Sequence, residues 1–179
     1  LLIMKKLLLF TALISFCFTV NAQESKFGVT AGYQSSSFKV SGAGLDISTD
    51  ASGYFVGFFA QFSVSETFSI QPELLYSSVS DDGESIGDII IPVMLKFHLT
   101  DKFNFMAGPQ FDYITEDDAE GINKFGMGLG FGLGYDISDN ISLGARYSIG
   151  FDRLDDEGED VGDASFKINI FQIGLSYSF

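Results

Sequence analysis

From Tyr54 to Val64 the side chains separate into two sets with a two-residue period. Tyr54, Val56, Phe58, Ala60, Phe62 and Val64 share one face of an extended chain. Phe55, Gly57, Phe59, Gln61 and Ser63 share the other, because successive side chains of a strand point to opposite sides. Phe68 to Ser78 repeats the scheme: Phe68, Ile70, Pro72, Leu74 and Tyr76 oppose Ser69, Gln71, Glu73, Leu75 and Ser77. So does Phe103 to Ile114, where Asn104, Met106, Gly108, Gln110 and Asp112 form the weaker face. Phe125 to Tyr135 is the most regular, with large apolar residues alternating with Gly126, Gly128, Gly130, Gly132 and Gly134. Ile141 to Ile149 and Phe171 to Phe179 follow suit, and Lys26 to Phe38 and Asp88 to Leu99 complete a set of eight strands.

The connections between these segments alternate in length. Ser65-Glu66-Thr67, Thr100-Asp101-Lys102 and Asp136 to Asn140 are short. Lys39 to Gly53, Val79 to Gly87, Thr115 to Lys124 and Asp152 to Ser165 are expected as long loops. Tight turns at one end and long loops at the other are the arrangement of an outer-membrane barrel, with the turns and both ends of the chain toward the periplasm. A soluble β-sandwich or barrel would put the apolar face inside. Here that would leave glycines, serines and charges outside and a poor core, since glycine buries no side chain. Reversed, the pattern fits lipid outside and a narrow lumen inside. Closure also removes the unpaired strand edges that lipid cannot solvate. The expected fold is all-β: an eight-stranded antiparallel transmembrane barrel.

Ahead of the barrel, Met4-Lys5-Lys6 precedes the apolar run Leu7 to Val20 and the small residue of Val20-Asn21-Ala22. This is the layout of a secretory signal peptide, and the run is shorter than the ~20 residues of a spanning helix. Residues 1–22, with Leu1-Leu2-Ile3 ahead of the methionine, are assigned to the signal, and residues 23–179 to the barrel. The only cysteine, Cys17, lies in that leader, so the barrel is expected to carry no disulfide.

Composition agrees with this picture. The 179 residues include 20 Phe, 7 Tyr and 20 Gly, an unusual pairing of strand-favouring and strand-weakening residues. The net charge of −14 argues against a nucleic-acid partner, which needs a basic surface.

Four segments resemble the outer-membrane barrel family often called PorT-like. They are Gln71-Pro72-Glu73-Leu74-Leu75-Tyr76-Ser77, Ile91-Pro92-Val93-Met94-Leu95-Lys96-Phe97, Ala107-Gly108-Pro109-Gln110-Phe111, and the ending Phe171-Gln172-Ile173-Gly174-Leu175-Ser176-Tyr177-Ser178-Phe179. The resemblance covers essentially the whole barrel. It implies a domain of undefined role, or a component of a secretion machine. One departure is Asp88-Ile89-Ile90, where the family more often looks like Tyr-Leu-Glu. Ile90 then stands where a lumenal carboxylate is expected.

Alternation places Glu73, Lys96, Asp112 and Arg146 in the lumen. Buried charges are costly unless paired, so Glu73 is expected to meet Lys96, and Asp112 to meet Arg146, as a polar plug. The competing reading is a gate or an ion path. His98, the only histidine, points inward near the turn end, and no Ser-His-Asp set or cysteine partner stands beside it in sequence. No catalytic residue, metal site or cofactor is assigned. The long loops hold much of the acid, including Asp155, Asp156, Glu157, Glu159 and Asp160, which are weak calcium candidates without EF-hand spacing.

Phe179, with Tyr177 and Leu175 on the same face, is expected to be the signal read by barrel-assembly machinery. The remaining partners expected are outer-membrane lipid and lipopolysaccharide or a surface partner, in a Gram-negative bacterium. The function expected is structural or interactive, without catalysis. The alternative is a narrow pore or part of a secretion or transport machine.

Overall fold

Each strand pairs with its neighbour in sequence, and the last pairs with the first, closing a barrel. The strands are β1 (Gln23–Gly42), β2 (Leu45–Ser65), β3 (Phe68–Asp81), β4 (Glu84–His98), β5 (Phe103–Ile114), β6 (Phe125–Asp136), β7 (Ile141–Gly150) and β8 (Ser165–Ser178). All pairings are antiparallel. The computed structural model describes residues 23–42, 45–81, 83–115, 123–153 and 165–179. The leader and the acidic stretch 154–164, with the calcium candidates Asp155, Asp156, Glu157, Glu159 and Asp160, lie outside the described residues.

Three tight turns and both ends of the barrel sequence lie at one end. Side chains close two of these turns. Thr100 Oγ1 accepts from the backbone N–H of Phe103 at 2.9 Å, and Ser138 Oγ from that of Ile141 at 3.1 Å. Phe179 N–H donates to the Phe27 carbonyl at 2.9 Å, joining the end of the chain to β1.

The outer surface is a belt of large apolar side chains. Phe58 is 67% exposed and Leu74 54%, whereas the inward Leu75 is 1% exposed. Aromatic pairs flank the turn edge of this belt: Phe68 with Phe97, centroids 5.1 Å apart, and Phe103 with Tyr135 at 4.7 Å. Such girdles sit at the membrane–water boundary.

Above the belt the strands continue. The segments expected as loops, Lys39 to Gly53 and Val79 to Gly87, are instead the ends of two long hairpins. Their serines, aspartates and glycines read as loop residues one at a time. Their backbone groups nevertheless pair in register, from Tyr33 opposite Tyr54 out to Gly42 opposite Leu45. Gly83, with φ of 95°, supplies the left-handed residue at the β3–β4 turn.

In these hairpins the polarity inverts. Outward positions become Ser35 opposite Ser52, Ser37 opposite Asp50, and Lys39 opposite Ser48. Inward positions become Phe38 opposite Thr49 and, at the hairpin's exposed end, Val40 opposite Ile47, which are 48% and 59% exposed. On β3 and β4, Ser78 and Ser80 face outward while Val79 faces Ile86 inside. Beyond the belt the outer solvent is water, so the apolar face turns inward. We call this upper part the collar.

Candidate functional site

An eight-stranded barrel encloses a space just wide enough for side chains to fill. Here two layers fill it. Toward the middle, Glu73, Lys96 and Arg146 are all buried, at 8%, 6% and 8% exposure. Arg146 donates from Nη1 and Nη2 to Glu73 Oε2, each at 3.1 Å, and from Nη2 to Gln172 Oε1 at 2.7 Å. Gln172 Nε2 donates to Gln34 Oε1 at 2.7 Å, and Gln34 Nε2 to Ser77 Oγ at 3.0 Å. On the other side, Gln71 Nε2 donates to Glu73 Oε1 at 2.8 Å. Lys96 Nζ donates to Gln71 Oε1 at 3.1 Å and to Gln61 Oε1 at 2.9 Å. One connected network thus reaches from β4 across β3 and β2 to β7, β8 and β1.

The expected pairing of charges is corrected. Glu73 meets Arg146, not Lys96, and Asp112 meets Arg153, not Arg146. Register explains both. Lys96 lies opposite Ser69, two inward positions toward the turn end from Glu73. Arg146 lies opposite Gly132, whereas Asp112 lies opposite Gly126, three inward positions nearer the collar. Among the described residues Arg153 reaches Asp112: it lies just past β7, where its backbone N–H still donates to the Phe166 carbonyl of β8 at 2.9 Å, and its side chain is buried in the lumen. A Cβ at Gly126 would overlap the Arg153 guanidinium, so that glycine is the space the arginine occupies. A Cβ at Gly174 would likewise overlap the Phe55 ring, and one at Gly134 the Asn104 amide.

The second layer corrects the expectation of a polar lumen throughout. Phe55, Leu75, Ile90, Ile114, Phe166, Ile168 and Ile170 form one buried apolar cluster, with Phe38 and Ile86 against it. It runs from the upper belt into the collar. Ile90, at 0% exposure, sits inside it, so the departure from a carboxylate at that position belongs to an apolar plug.

At the turn end the lumen opens into a cavity of about 290 Å³ bordered by Lys26, Lys96, His98, Lys102 and Asp136. His98 shares a hydrogen bond of 3.1 Å between Nε2 and Ser69 Oγ. Among the described residues no group of three or more His, Cys, Asp or Glu is placed to hold a metal ion. Phe179 is 77% exposed, and its ring meets that of Tyr177 edge-on at 5.9 Å. Leu175 shares their outward face and is 54% exposed.

Sequence reasoning missed Arg153 and the glutamines. The signal for the glutamines was present: Gln34, Gln61, Gln71, Gln110 and Gln172 all have inward parity. An amide both donates and accepts, which makes it suited to joining charges across a lumen. Nothing in the local pattern marked Arg153, because its direction is set after the strand has ended.

The family described as outer membrane protein beta-barrel domain matches residues 8–179. Among solved structures, the chain is similar to Ail, the attachment invasion locus protein of Yersinia pestis. That match has a TM-score of 0.55 and 13% identity, and covers 88% of this chain and 100% of that one. It is also similar to Neisserial surface protein A, with a TM-score of 0.51, 13% identity, and the same coverage of 88% and 100%. These likenesses show the fold. No curated protein sequence matches.

Proposed function

Because this chain belongs to the outer membrane protein beta-barrel domain family, we propose that it is a small, non-conducting outer-membrane barrel with a structural or surface-interaction role. The observation that carries this reading is the doubly filled lumen. A solute would have to part the Arg146–Glu73 network and then the apolar cluster around Leu75 and Ile90. The reading assigns it no catalysis. The collar and the acidic connections face outward from a Gram-negative cell, and both ends of the barrel sequence face the periplasm. That orientation follows the usual placement of long loops and short turns. The PorT-like motifs support kinship with that branch of barrels.

Planar-bilayer recording of the purified barrel tests the reading. The expected outcome is no stable conductance step. A large, persistent open level in the wild type would overturn the closed-lumen reading and favour a pore.

A further inference from the structure

Lys39 on β1 lies directly opposite Lys167 on β8. Both are exposed on the outer face. Like charges directly opposed across a sheet destabilise it. In a chain of net charge −14 with 10 Lys and Arg, such a juxtaposition is an unusual use of scarce cations. Neither lysine makes an ion pair with a described residue. The outward carboxylates of β2, Asp46 and Asp50, flank Ser48 opposite Lys39, on the side away from Lys167. The pair stands in the collar, three outward positions above Tyr33 on β1 and two above Phe171 on β8. Below it on β1 come Ser37, Ser35 and then Tyr33, and below it on β8 come Asn169 and then Phe171.

A second feature continues from Phe171. A groove of about 320 Å³ indents the lipid-facing surface between Phe105, Phe131, Leu133, Ala145, Tyr147 and Phe171. Ala145 forms its floor, since it pairs with Leu133 on one side and Ile173 on the other, and its small side chain leaves the larger neighbours as walls. Phe171 is four residues from Lys167, roughly 14 Å along a strand. Cations in the collar and an apolar groove in the belt below them match the two ends of one amphiphile.

We propose that this face binds a membrane lipid with an anionic, phosphorylated headgroup. The phosphate bridges Lys39 and Lys167 and relieves their repulsion, and an acyl chain lies in the groove over Ala145. The inference rests on membrane placement and is independent of whether the lumen conducts, so a failed bilayer test leaves it standing. A second copy of the chain fits less well, because its own lysine pair would meet this one.

Native mass spectrometry tests the site on the folded barrel in micelles with equal dipalmitoyl phosphatidylglycerol and dipalmitoyl phosphatidylcholine. The wild type is expected to retain one phosphatidylglycerol with a preference of about thirtyfold, the scale of two lysines near an anionic surface. The K39Q/K167Q variant should lose that preference and retain both lipids equally. Ala145→Phe, checked for heat-modifiable migration to confirm folding, should retain less of either lipid. Lys102→Gln, at the turn end, should behave as wild type. Equal retention of the two lipids by the wild type, or an undiminished preference in K39Q/K167Q, would overturn the proposal. So would unchanged retention in Ala145→Phe, inorganic phosphate held as well as the lipid, or a lysine-dependent dimer in place of a lipid adduct.

Discussion

Along β2 the belt segment Tyr54–Val64 turns Tyr54, Val56, Phe58 and Phe62 outward. The collar segment before it turns Ser48, Asp50 and Ser52 outward and Thr49 and Ala51 inward. The backbone is the same continuous ladder in both. What differs is the solvent that each outer face meets. In the belt, hydrocarbon rewards large apolar side chains outside and leaves the lumen to polar groups that satisfy one another. In the collar, water reverses the preference, and the interior packs Phe38, Ile86, Phe166 and Ile168 as a soluble protein packs its core. The two regions therefore fail differently: the collar by cavities, and the belt by unmatched charge in its lumen or by any charge on its outer surface.

The largest effect should come from the middle of the lumen. Glu73→Ala or Arg146→Ala strands a buried charge and should cost about 3–5 kcal/mol, whereas replacing both with Met should be near neutral. Urea unfolding in lipid vesicles reads all three. Additive losses in the double variant would mean that the two residues do not act as a pair.

The boundary between belt and collar can be tested on one strand. Phe58→Arg, near mid-belt, should cost about 2–4 kcal/mol. Ser48→Arg, on the same outer face in the collar, should stay within about 0.5 kcal/mol of wild type. Equal penalties in vesicle unfolding would place Ser48 in hydrocarbon and erase the distinction.

Gly126→Ala probes the space held by the buried Asp112–Arg153 pair, level with Ile90 of the apolar cluster. Its new methyl group meets the Arg153 guanidinium. Overpacking of this kind costs about 1–3 kcal/mol, so the urea midpoint should fall measurably. An unchanged midpoint would show that Arg153 moves away without loss.

Deleting Phe179 should matter least to stability, because the residue is 77% exposed and burying a whole Phe is worth at most ~3 kcal/mol. Refolding in detergent should be nearly intact. Membrane-inserted, heat-modifiable barrel in cells should nevertheless drop sharply if assembly machinery reads this residue. Normal insertion of the truncated chain would remove Phe179 as a signal.

Much of the barrel was legible because a two-residue period survives wherever the two faces of a strand meet different surroundings. β5 begins and ends where alternation places it, at Phe103 and Ile114. The collar was misread as loops for the same reason. Its period persists, with Phe38, Val40, Ile47 and Ala51 on one face, but the polarity of the faces has changed sign and the residues between are typical of turns. Parity also marked the inward positions of Glu73, Lys96, Asp112 and Arg146. It could not pair them, because parity gives direction and not height.

The sequence by itself determined the strand count, the closed antiparallel class and the face each side chain presents, since alternation is local and is read residue by residue. Tertiary structure alone decided the heights. Strand register set Arg146 level with Glu73 and left Asp112 to Arg153, and it gathered isoleucines from β4, β5 and β8 into one apolar layer. Heights depend on how each strand slides against the next around a closed ring, a quantity that no single segment contains.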